Sequence, residues 1–227
     1  MKIAIVCDVL GEKNNGTTIA ANNLIDYLKS RGHEVRVLCA DGSKIGTQGY
    51  FVVPNRNFLC FNGYVQKNGV SLANPDKDII TAAIAGCDVV HIMMPFALGL
   101  ASVKIAKKFK IPVSAGFHLL AENVTCHLHM QDFNIANKAV YAHFHKLYSH
   151  CDAVHYPTPY LRRLYEGMYG KTNGYVISNG VNNDFKPAKP AEDNGRYRIL
   201  YVGRLSKEKA HSVLIDAVKL SKYKDNI

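Results

Sequence analysis

The sequence predicts a doubly wound α/β domain with a mainly parallel sheet, and three observations predict it. Short apolar runs rich in Ile, Val and Ala recur along the chain without the alternation of a half-exposed strand, as parallel strands covered on both faces do. Stretches with apolar residues at helical spacing separate them. Glycine, proline and asparagine mark the joints.

Lys2 to Cys7 opens the pattern as a buried strand. Thr17 to Arg31 places Ile19, Ala20, Asn23, Leu24, Tyr27 and Leu28 at helical spacing, and Gly32 ends that helix. Glu34 to Cys39 is the next β run, and strand, helix, glycine, strand make a βαβ unit, which builds a right-handed parallel layer. A third strand is expected ahead of Arg56. The stretch Arg56 to Asn74 is rich in Asn and Gly and carries Phe58, Leu59, Phe61 and Tyr64, which suits a binding loop. A helix then follows Pro75, with a strand at Asp88 to Ile92, a helix from Phe96 to Phe109 and a strand at Pro112 to Gly116. A long helix around Phe133 to His150, a strand at Ala153 to His155, a helix from Pro159 to Tyr169 and a strand at Gly174 to Ser178 complete seven strands. No internal repeat or low-complexity tract stands out.

A chain of 227 residues that is 48% hydrophobic buries a substantial core and has room for one large domain with an appendage. Only Ile3 to Cys7 precedes Asp8 as an apolar run, too short for a signal peptide, so export is not expected. Ile79 to Ala106 is the most apolar region, yet Asp88, His91, Pro95 and Lys104 interrupt it and divide it into helix, strand and helix rather than a membrane span. Six cysteines without a C-x-x-C pair fit a reduced, cytoplasmic compartment. The net charge of +10 calls for an anionic partner. Lys and Arg are spread rather than gathered in a basic stripe with interleaved aromatics, which argues against nucleic acid and leaves a phosphorylated small molecule or a lipid surface.

Between Asn182 and Tyr197 the composition shifts to Asn, Asp, Pro, Lys and Gly, as in a linker. The expected organisation is therefore a domain over residues 1–181, a linker over 182–197, and over 198–227 the first βα unit of a second domain that is incomplete. In that unit Arg198 to Val202 reads as a strand, Gly203 to Lys209 as a turn carrying two spaced cations, and Ala210 to Leu220 as a helix. Cations and helix amides at a glycine turn make a ready site for a diphosphate.

The first βα loop, Asp8 to Gly16, brings Asn14, Asn15 and Gly16 to a helix start, and in an open α/β sheet ligands gather at the carboxyl ends of strands. A plain turn at Gly16 with Thr17 as helix cap is the competing reading. The G-x-G-x-x-G spacing of a dinucleotide site is absent. His127, His129, His143, His145, His150 and His155 invite a metal reading, but His143 and His145 are two apart and point to different faces of a helix, so no metal is expected. Cys126 and Cys151 lack a paired base and read as core thiols.

The chain resembles the retaining nucleotide-sugar glycosyltransferases of family four, which have two Rossmann-like domains facing across a cleft, the GT-B fold. The resemblance rests on the opening strand with Gly16, on Arg31-Gly32-His33-Glu34-Val35, Asp88-Val89-Val90-His91, Phe117-His118, Ser178-Asn179-Gly180-Val181, and above all on Val202-Gly203-Arg204-Leu205-Ser206-Lys207-Glu208-Lys209. It implies that the amide of Gly16 approaches the donor diphosphate from one side and that Arg204 and Lys209 hold it from the other. It implies that His118 lies beside the transferred sugar and acceptor, as a hydrogen-bonding group rather than a nucleophile. Glu122, Asn123 and Asn15 are expected on the acceptor side, and His91 is expected to be structural.

In such a reaction charge grows on the phosphate oxygens as the nucleoside diphosphate leaves, so fixed cations and amides aimed there lower the barrier with no metal and no cofactor beyond the nucleotide sugar. The acceptor stays open, with lipids among the candidates and a peripheral membrane contact through the 56–74 stretch as one way to reach them. The glutamate pair that the family carries in its second domain has no counterpart at that spacing here, so this polypeptide is expected to transfer sugar poorly by itself. Two alternatives compete: a nucleotide-sugar epimerase of the GT-B kind, and a non-catalytic remnant that keeps the acceptor cleft.

Overall fold

A computed structural model describes residues 1–8, 10, 16–56, 72–126, 130–181, 185–187, 195–203, 205 and 209–227. Seven strands form one sheet: β1 (Lys2–Cys7), β2 (Glu34–Cys39), β3 (Tyr50–Val52), β4 (Val89–Ile92), β5 (Val113–Gly116), β6 (Ala153–Tyr156) and β7 (Gly174–Val176). Their order across the sheet is β3-β2-β1-β4-β5-β6-β7, and every neighbouring pair is parallel. The helices are α1 (Gly16–Ser30), α2 (Lys77–Ile84), α3 (Ala97–Lys108), α4 (Ala121–Thr125), α5 (Asn134–Tyr148), α6 (Pro159–Tyr169) and α7 (His211–Leu220). This is the doubly wound parallel architecture the sequence predicts, with α4 as an additional short helix.

Local chemistry sets the helix ends. Asp76 caps α2 by accepting from the amides of Asp78 and Ile79 at 2.9 and 3.0 Å. At the other end of α2, Arg36 from β2 donates to the carbonyls of Ala82 and Ala85, each at 3.0 Å. Thr158 caps α6, with Pro159 in its first turn where a missing N–H costs nothing. Gly32 takes the left-handed φ of 79° expected of the residue that ends α1.

Alternate residues of each strand serve two faces. Ala4, Val6, Val90, Ile92, Val113, Ala115, Val154 and Tyr156 belong to the larger core, which α2, α3, α5 and α6 cover with Ile80, Leu98, Phe144 and Tyr165 among others. Burying side chains of this size stabilises the fold by roughly 2 kcal/mol each. The opposite face is covered over β1 and β2 by α1, whose Thr18, Ala21 and Ile25 lie on one stripe. Over β4 to β7 that second face carries His91, Ser114, Gly116, His155 and Tyr175, paired in register as His91 with Ser114, Gly116 with His155, and His155 with Tyr175.

Asp88 and Asp152 do the same job one strand apart. Asp88 accepts the amide of Lys2 at 2.7 Å and Asp152 that of Val113 at 2.8 Å, tying the start of β4 to β1 and of β6 to β5. Each is preceded by a cysteine whose thiol donates to a helix carbonyl four residues back, Cys87 to Ala83 and Cys151 to Leu147, both at 3.4 Å.

Arg198 to Val202 departs from expectation. These residues are not a strand, and Ile199, Leu200, Tyr201 and Val202 are exposed, Leu200 by 88%. A strand forms by pairing, and no neighbouring strand among the described residues offers this segment one. The helix expected after it does form, as α7, and Tyr197 and Ile199 line a shallow groove with its Leu214 and Val218. Of the expected loop over 56–74, residues 57–71 lie outside the described residues; its ends meet, with the Arg56 amide donating to Leu72 and the Asn74 amide to Pro54, both at 2.8 Å. No helix among the described residues is long and apolar enough to cross a membrane.

Candidate functional site

The site builds from the carboxyl ends of β1, β4 and β5. β1 and β4 are neighbours whose following helices leave to opposite faces, α1 to one and α3 to the other, which opens a crevice where α/β sheets bind ligands. Gly16 is the first residue of α1, exposed at that edge. Its φ is not left-handed, and a Cβ built on it meets nothing within 4 Å. Neither backbone nor packing requires a glycine there, and Thr17 lies inside the helix rather than capping it.

His118 follows β5 by two residues and folds its ring back onto the sheet over Gly116; a Cβ at Gly116 would overlap its Nε2 and come within 2.5 Å of its Cδ2. The ring stands edge-on to His155, centroids 5.3 Å apart at 74°. His155 is itself held, since Ile177 offers a carbonyl 2.6 Å from its Nε2, which therefore carries the hydrogen. His91 Nδ1 and Ser114 Oγ share a hydrogen bond of 2.9 Å. The Nε2 atoms of His91 and His118 are buried without a partner.

Burial pushes His91 down to about 3, helped by the neighbouring His118 and His155, and it pushes His118 down to about 4, helped by His155. Both rings are neutral at physiological pH, able to donate or accept a hydrogen bond but not to supply charge. They face a cavity of about 950 Å³ that runs along the open half of the sheet, bounded by Ile5, Tyr27, Ser114 and Asn179 among others. The structure thus joins His118 to His91, a residue read from sequence as structural, and to His155, read as one of a scattered histidine set.

A signal for this trio is present in the sequence. Cys87-Asp88-Val89-Val90-His91 and Cys151-Asp152-Ala153-Val154-His155 share the pattern Cys-Asp-x-Val-His, so an internal echo exists where none was expected. In both, the aspartate directly precedes the strand and the histidine three residues later falls on the open face.

The remaining expected residues are placed as follows. Glu122 sits in the first turn of α4 and accepts from Tyr141 of α5 at 2.7 Å, a contact that packs α4 on α5 and, with burial, raises the Tyr141 hydroxyl. Asn123 is exposed, its amide turned to the Leu120 carbonyl. Lys209 is exposed; its carbonyl accepts from Tyr201 and its side chain lies beside Gly203. Arg204 and Asn15 lie outside the described residues, as do His127 and His129. His145 stacks on Tyr169 at 4.2 Å and pairs its Nδ1 with the Tyr165 hydroxyl, a packing role between α5 and α6. Among the described residues no three His, Cys, Asp or Glu side chains group as metal ligands. Burial pushes the Cys151 thiol up to about 12, which keeps it protonated and unreactive.

The seven-stranded parallel sheet with its flanking helices is a Rossmann-like α/β fold of the kind found in GT-B proteins. The chain belongs to Glycosyltransferase Family 4, which it matches over residues 14–185, more than half of its length. No curated protein matches it. Among solved structures it is similar to Arabidopsis thaliana UGT89C1 complexed with UDP-L-rhamnose, with a TM-score of 0.57 at 13% identity over 97% of this chain and 63% of that one. It is also similar to the UDP-GlcNAc 2-epimerase from Methanocaldococcus jannaschii, with a TM-score of 0.44 at 16% identity over 78% and 45% of the two chains. An alpha-glucosyltransferase in complex with UDP and a 13-mer DNA gives 0.46 at 14% identity over 80% and 43%. The chain spans less than two thirds of each of these proteins.

Proposed function

We propose that the protein is a glycosyltransferase that moves a sugar, with retention, from a nucleotide diphosphate sugar to an acceptor bound across the carboxyl edge of β5, with no metal. The observation that carries this reading is the match to Glycosyltransferase Family 4 over residues 14–185, which spans both Gly16 and His118. In this reading the amide of Gly16 at the head of α1 meets the diphosphate, where helix amides favour an anion. Arg204 and Lys209 offset the charge that grows on the phosphate oxygens as the sugar's C1–O bond breaks. The neutral ring of His118 hydrogen-bonds the sugar or acceptor beside the open sheet face, and Asn15, Glu122 and Asn123 line the acceptor side. The open space where a Cβ of Gly16 would stand supports the close approach of a ligand there.

Calorimetric titration with UDP tests the diphosphate half. Gly16→Val is expected to leave the melting temperature unchanged and to weaken UDP binding, whereas Arg204→Ala removes one fixed donor and costs transfer about 3–4 kcal/mol. Wild-type UDP affinity in Gly16→Val would sink the assignment. A lipid acceptor at a membrane surface is part of the proposal, motivated by the net charge of +10 and by Phe58, Phe61 and Tyr64 in the 56–74 stretch; failure to co-sediment with anionic vesicles would remove it.

A further inference from the structure

Asp8 directly follows β1 and is 1% exposed, a carboxyl at the carboxyl end of that strand, where the crevice between β1 and β4 opens. Its Oδ1 accepts the Ala73 amide at 3.4 Å, while its Oδ2 is buried with no partner. The amide of Leu98, in the first turn of α3, also acts on the carboxyl, and the residue ahead of that helix, Phe96, supplies no side-chain cap. One side chain therefore lies where the end of β1, the segment that leads into α2, and the start of α3 meet. We propose that Asp8 is a positioning residue of the nucleotide crevice, a buried carboxyl whose loss of a proton opens this three-way junction to water and sets a negative charge beneath the bound diphosphate.

Among the described residues the groups that act on the carboxyl are backbone: the amide of Ala73 before α2, its own amide just after β1, and that of Leu98 in α3. No charged or titratable side chain among the described residues acts on it. Burial raises it to about 7 against the pull of those three amides, so its proton is lost near neutrality. A protonated carboxyl tolerates a bare oxygen in a buried site far better than a carboxylate does. A carboxylate there also repels an anion in the crevice through a medium of low dielectric. The nucleotide clause rests on the function proposed above; the junction itself does not.

Two measurements on the full chain separate them. The first follows the amide nitrogen–proton signals of Ala73, Leu98 and Gly16 from about pH 5.5 to about pH 8.5 in the wild type and in Asp8→Asn, which keeps the shape of the protonated group. All three are expected to titrate together in the wild type and to stay still in the variant. Flat signals in the wild type, or the same titration in Asp8→Asn, would overturn the proposal. The second compares UDP affinity at about pH 6 and about pH 8, where the wild type is expected to lose on the order of fivefold more than Asp8→Asn does. Equal losses overturn the role in binding. If UDP binds neither protein at either pH, the nucleotide reading of the crevice falls, while the amide titration still decides whether Asp8 governs the junction.

Discussion

The ring of His118 rests on the backbone of Gly116, and no other residue type at 116 leaves room for it. The strand that ends at Gly116 thus makes a seat for the histidine that follows two positions later. The clash a methyl group would create falls on the far end of the His118 side chain, so the ring gives way and the strand does not.

Gly116→Ala is therefore expected to cost little stability, about 1 kcal/mol, and to displace His118 from its place beside His155. Urea melts and the imidazole proton signals check the two halves. On the function proposed above, kcat for whatever transfer the wild type shows is expected to fall with UDP affinity unchanged; wild-type turnover in the variant would separate His118 from that proposed reaction.

Gly99 presents the opposite case. A Cβ there would stand 2.7 Å from the Met94 carbonyl oxygen and 2.9 Å from Leu147 Cδ1, and the first of these is backbone that cannot swing aside. Gly99→Ala is expected to destabilise the domain by about 1–3 kcal/mol, read as a lower urea midpoint with an unchanged slope.

Acid acts through the histidines. His91 and His118 titrate in the folded chain at about 3 and about 4, below their value of 6.5 in the unfolded chain. The unfolded chain therefore binds more protons across that window. Their contribution to stability is complete above 6.5 and is lost as the pH falls towards 4 and 3. Melting temperatures taken down this range are expected to drop, and to drop less in His91→Gln. An equal drop in the variant would show that His91 is not among the causes.

Asp8 works with the opposite sign. Its folded value of about 7 lies above the ordinary 3.8, so its contribution is greatest below 3.8 and is lost as the pH rises through 7. Asp8→Asn is expected to be more stable than the wild type at about pH 8, with the advantage shrinking on acidification. Between 3.8 and 6.5 Asp8 and the histidine pair oppose one another, so the wild-type profile falls less steeply with acid there than the two histidines alone would make it. Thermal melts of both proteins across the range check this, and a variant less stable at alkaline pH would contradict it.

Local chemistry makes most of the architecture legible in the sequence. Apolar runs of strand length, helical spacing in Thr17 to Arg31, and stops such as Gly32 and Pro159 each act within a few residues, so all seven strands and the long helices of the sheet domain could be read in order. Gly16 and His118 were legible as site candidates because both follow strands at the carboxyl edge of a parallel sheet. Arg198 to Val202 was not legible, because a strand exists only with a partner and composition does not report one.

The sequence by itself determined which segments are strands of the sheet and helices, and so the order in which the chain visits the two faces. Only the tertiary structure decided what shares a face. Parallel register brings His91, Ser114 and His155 together from three strands far apart in the chain, and the glycine at 116 turns His118 into their company. The burial of Asp8 under Ala73 and Leu98 likewise depends on three segments meeting, and it is desolvation by that meeting, a property of no single residue, that holds its proton.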